Sequence, residues 1–137
     1  MGRRAFLLLA IAVLIGGAAT FTLSRRSNDN ALTPAAKTEE TLLASSVCHF
    51  GQLVANGRLS EAKNLFWDEV HFPAHILAAD LQIVDRAQAT AFYVTKGAVE
   101  RDLARLAPAL KTDTPPFVAA VQAGLLRLAV PGTTGTC

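Results

Sequence analysis

Charged side chains are scarce in this chain. They make up 18 % of its 137 residues, against about 25 % in an ordinary soluble domain. The first 24 residues hold only two charges, Arg3 and Arg4. No stretch alternates apolar and polar residues over the length of a strand, so a sheet has no foundation here. There is no nucleophile elbow, no glycine loop that could cradle a phosphate, and no carboxylate pair placed for acid–base work. Ser45 and Ser46 have no base in view. The chain therefore lacks the constellations that signal an enzyme, and none is expected. Cysteine occurs only twice, at Cys48 and Cys137, and never as Cys-x-x-Cys. That excludes a metal site built from thiolates alone, and no cysteine follows the first apolar run to carry a lipid.

Apolar residues, by contrast, make up 51 % of the chain, enough for a core in one domain. Residues 5–23 run nineteen positions without a charge. As a helix rising 1.5 Å per residue they would cover about 28 Å, close to the hydrocarbon core of a bilayer. Residues 1–24 read as an uncleaved transmembrane anchor. The basic start and the small residues Gly16, Gly17, Ala18 and Ala19 also fit a signal peptide cut near Ala19, with a secreted or periplasmic product. Either way the remainder is expected outside the cytoplasm. Residues 25–36 are polar and breaker-rich, as a linker would be.

The overall charge of +2 belongs to the flanks of that segment, where Arg3, Arg4, Arg25 and Arg26 sit. From Ser27 onward nine Lys and Arg face eleven Asp and Glu, a net charge of −2. A mildly acidic domain carries no electrostatic footprint for nucleic acid. An even pair of cysteines in an oxidising compartment favours one disulfide, Cys48 to Cys137, closing most of the domain into a loop.

Apolar spacing predicts four helices between residues 34 and 130, with residues 37–130 as the bundle domain. The first starts at Pro34, stops at Gly57, and turns Leu43, Val47, Phe50 and Val54 inward. The second starts with Ser60 as its cap and carries Ala62, Leu65, Phe66 and Val70, then Leu77, Leu81 and Val84. Pro73 should kink or split it near His71 and Phe72. The third spans residues 85–106 with Phe92, Val99, Leu103 and Leu106 inward. Lys96, Glu100, Arg101, Asp102 and Arg105 read as its solvated face. Residues 112–116 read as a loop and helix start. The fourth helix then carries Phe117, Val121, Leu125 and Leu128, and residues 131–137 form a flexible tail. The expected fold is all-α: an antiparallel four-helix-type bundle with a Pro-kinked second helix. Trp67, Phe72, Phe92 and Tyr93 are expected in the core or at its edge.

One stretch could carry chemistry. Trp67-Asp68-Glu69-Val70-His71-Phe72-Pro73-Ala74-His75 places Asp68, His71 and His75 at spacings of three and four. On a continuous helix they share a face, where two imidazoles can grip one divalent transition ion and Asp68 can ligate or orient a ring. Haem is the other cofactor such histidines could serve. Pro73 lies between them, and without the Glu of His-Glu-x-x-His there is no zinc-protease pattern. The plain alternative is two wet histidines on a helix shoulder, with no cofactor.

Asn56-Gly57-Arg58-Leu59-Ser60-Glu61-Ala62, Phe66, His71, His75-Ile76-Leu77-Ala78-Ala79-Asp80-Leu81, Asp85-Arg86 and Val99-Glu100 together resemble small exported helical domains of bacteria. More faintly they are similar to extracytoplasmic helical segments associated with iron-uptake systems. The resemblance covers residues 47–106. It implies a helical bundle and a metal role for His71 and His75. The Glu-x-x-Glu pairs of such uptake proteins are absent, and a single spanning helix lines no pathway. Together these features favour a membrane-anchored accessory or protein-interaction module, with a metal- or haem-binding module as the alternative.

Overall fold

The computed structural model describes residues 34–137, with side-chain surroundings from residue 39 onward. The expected anchor or signal segment lies outside the described residues. Within them the chain is helical and shows no strand: α1 Pro34–Ala55, α2 Leu59–Leu65, a π-helical turn Phe66–Val70, α3 His71–Val84, α4 Arg86–Arg105 and α5 Leu110–Arg127. No helix among the described residues is long and apolar enough to cross a membrane.

The helices group into four rods that pack as a bundle. The first is α1, the second is α2, the π turn and α3 in succession, and α4 and α5 complete the bundle. Each rod packs on its chain neighbour, and α5 closes the bundle against α1. Each rod sends one phenylalanine to the centre. Phe117 of α5 lies 6.3 Å from Phe50 of α1, 5.9 Å from Phe66 of the π turn and 6.0 Å from Phe92 of α4, ring centre to ring centre. All four rings are fully buried. Leu43, Val47, Val54, Leu77, Leu81, Val99, Leu103, Val121 and Leu125 extend this core along the bundle, as their spacing predicts.

The helix ends follow local chemistry. Gly57 has φ +75°, the left-handed conformation that glycine adopts without a Cβ penalty. It allows Arg58 N–H to reach back to the Leu53 carbonyl at 2.9 Å, closing α1. Leu106 ends α4 the same way, at φ 50°. That left-handed turn swings it outward, and the leucine expected in the core is 39 % exposed. Val84 is likewise exposed, because it is the last residue of α3. Asp85 caps α4 by accepting from the Gln88 N–H at 3.0 Å.

One expectation about proline needs correction and another takes a specific form. α5 begins at Leu110, ahead of the stretch read as a loop, and Pro115 and Pro116 lie inside it. Their missing N–H groups strand the carbonyls of Lys111 and Thr112. Those residues and both prolines are exposed, so water can satisfy the carbonyls. Near Pro73 the α-helix of the second rod is interrupted, close to the expected place at His71 and Phe72. The disruption takes the form of the π turn just before His71, where the His71 N–H bonds the Phe66 carbonyl five residues back.

The C-terminal residues are tied down. Cys137 is joined to Cys48 with Cα atoms 5.4 Å apart. This matches the pairing expected from the cysteine count.

Candidate functional site

The sequence carries a mark of the π turn. Ala62, Phe66, Val70 and Ala74 are all buried and recur every fourth residue. A spacing of four drifts around an α-helix of 3.6 residues per turn, so a wider turn is needed to keep all four facing the core. The same widening relieves the clash of the Pro73 ring with the preceding turn. Its consequence is rotational: the histidines that follow are aimed at α4, while Trp67 and Asp68 stay exposed.

His71 and His75 stack edge to face with ring centres 4.7 Å apart, and Trp67 lies 4.6 Å from the His71 ring. Opposite them on α4 stands Glu100. Its Oε1 is 2.8 Å from His71 Nδ1, although that buried nitrogen lacks the alignment of a hydrogen bond. One ligand atom each from His71, His75 and Glu100 falls within 4.8 Å of the others. Asp68 does not belong to this group. It leads into the π turn's exposed side, so its spacing to His71 is not the α-helical spacing that would align them. The third position is taken from the neighbouring rod, which no spacing within the second rod could show.

Lys96, expected on the solvated face of its helix, is instead buried and completes the cluster. It is only 2 % exposed. Its Nζ lies 3.0 Å from His75 Nε2 and donates to Glu100 Oε1. An ammonium only donates, so His75 must present a lone pair at Nε2 and carry its proton on Nδ1. Burial, then the Lys96 and His71 charges, hold the His75 pKa below the usual histidine value against the opposing pull of Glu100. His75 is neutral at pH 7, and Glu100 offsets the charge of the buried ammonium. One signal was legible: Lys96 sits between Phe92 and Val99 at spacings of four and three, on the inward stripe of α4.

A second pairing joins α4 to α5. Asp102 is 7 % exposed, and its carboxylate beside Asp113, with partial burial, raises the Asp113 pKa above the ordinary carboxylate value. The folded chain therefore holds that proton to higher pH than the unfolded chain, and stability falls as pH rises through this window. Asp113→Asn keeps a donor at every pH. Its thermal midpoint should exceed that of the parent protein at pH 7, with the gap closing near pH 3.5. Circular dichroism melts at the two pH values check this, and an equal or lower midpoint at pH 7 would contradict it.

A groove of about 490 Å³ opens between α1 and α5 beside the disulfide, with Gly51, Val54, Val118 and Gln122 in its walls. Its size is that of small-molecule sites. The Gln122 amide donates to the Ala44 carbonyl at 3.2 Å and lies 3.3 Å from Cys48 Sγ. His49 is exposed on α1 and takes no part in the histidine cluster.

Comparison of the chain with protein-family models, with curated proteins and with solved structures finds no match.

Proposed function

We propose that this chain is a membrane-tethered, extracytoplasmic accessory domain that works by binding a protein partner rather than by catalysis. The observation that carries this reading is the Cys48–Cys137 bond. Disulfides persist in oxidising compartments and are rare in the cytosol. The bond therefore agrees with the basic start and the uncharged run of residues 5–23, which act as anchor, or as signal peptide in a cleaved form. The partner surface is drawn from α3 and α4, adjacent rods that expose Phe72, Ile83 and Val94 at 64 %, 80 % and 69 %. Exposed apolar side chains mark an interaction face where they join into one patch.

Photocrosslinking in living cells tests this. A photoreactive residue is placed in the full chain at Val94, and at Lys63 on α2 as the control. A discrete adduct from position 94 that is missing from position 63 is the expected result. No discrete adduct from position 94, or the same adducts from both, would contradict it.

A further inference from the structure

We propose that His71, His75 and Glu100 form a site for one divalent transition ion of the zinc type, held closed by the Lys96 ammonium, which the ion must displace. The donor set is two imidazoles and one carboxylate, a combination that suits zinc. Ligands about 2.1 Å from a tetrahedral ion lie roughly 3.4 Å from one another. The His71–Glu100 pair at 2.8 Å is already inside that span. All three ligand atoms lie within 4.8 Å of one another, so side-chain adjustment suffices to close the group on an ion.

Two further observations point to a cation. Lys96 places a positive charge against His75 Nε2 and Glu100 Oε1, two of the lone pairs that a metal would take. The cluster is thus already organised around a cation. In addition, His71 Nδ1 is buried against Glu100 Oε1 without an aligned hydrogen bond, so its bonding capacity is left incompletely used. The π turn supplies the positioning, and such turns recur at functional sites. Lys96 has a four-carbon stem whose ammonium can swing toward solvent. The ion would replace one buried positive charge with another, its fourth position filled by water or by a group from a partner.

The test is a calorimetric titration of the full chain, in a non-ionic detergent at pH 7.5, with zinc chloride. The expected result is one zinc per chain, bound at least tenfold more tightly by Lys96→Met and at least tenfold more weakly by His75→Ala. Because Lys96→Met removes the ammonium that balances Glu100 and can impair folding, the imidazole resonances of the unaltered chain give a second readout. Zinc should shift those of His71 and His75 and leave those of His49 in place. The proposal is overturned by no saturable binding to the unaltered chain by 1 mM zinc. It is equally overturned by an affinity that neither substitution changes, or by zinc moving only the His49 resonances.

Discussion

Replacing Cys48 and Cys137 together by serine should lower the stability of the folded domain by about 4 kcal/mol. The bond joins residues 89 positions apart. Nearly the whole helical domain is one closed loop, and its closure removes conformations from the unfolded chain. No large contact is lost in the folded state. The folded double variant should therefore keep the helical signal of the parent, while its denaturation midpoint falls well below. Reduction of the unaltered protein should reproduce the fall, because only the cross-link differs. Denaturant titration with and without reductant measures both. A midpoint unchanged by reduction would mean that the bond does not constrain the unfolded chain.

Phe117→Ala should lower stability by about 3–5 kcal/mol, the range for emptying a large aromatic from a packed core. Phe117 is fully buried and touches Phe50, Phe66 and Phe92, one ring on each of the other rods. Phe50 and Phe66 also pack on each other, 5.3 Å between ring centres, so the void is not filled by a simple shift of either ring. Leu126 on the same helix is 51 % exposed, and Leu126→Ala should cost much less. Equal losses for the two variants, measured by denaturant melts, would show that the aromatic cluster does not organise the core.

How far the sequence reveals this molecule depends on what each feature rests on. The inward stripes were legible because they are local: Leu43, Val47, Phe50 and Val54 all lie on one face of α1 and all are buried. The disulfide was legible because two cysteines allow only one pairing. Pro115 and Pro116 were misleading, since a helix tolerates missing donors where the stranded carbonyls meet water. Leu106 failed for a different reason: its position in a helix-ending turn overrides its place in the periodic pattern. The histidine cluster was half legible. His71 and His75 sit on one rod, and their spacing survived the π turn because both follow it. Glu100 and Lys96 come from another rod, and only packing brings them across. Lys96 shows why charge is a poor guide to exposure, because an ammonium can be buried when a carboxylate and an imidazole receive it.

The proposed place of the helical domain, in an oxidising compartment outside the cytoplasm, rests on the covalent tie of Cys137 to Cys48 of α1. Thiol trapping tests it most directly. Cells expressing the full chain are quenched in acid, the protein is alkylated before and after reduction, and its intact mass is read. The expected result is no alkylation before reduction and two added groups after it, on Cys48 and Cys137. Two groups added before reduction would show free thiols in the cell and contradict the claim.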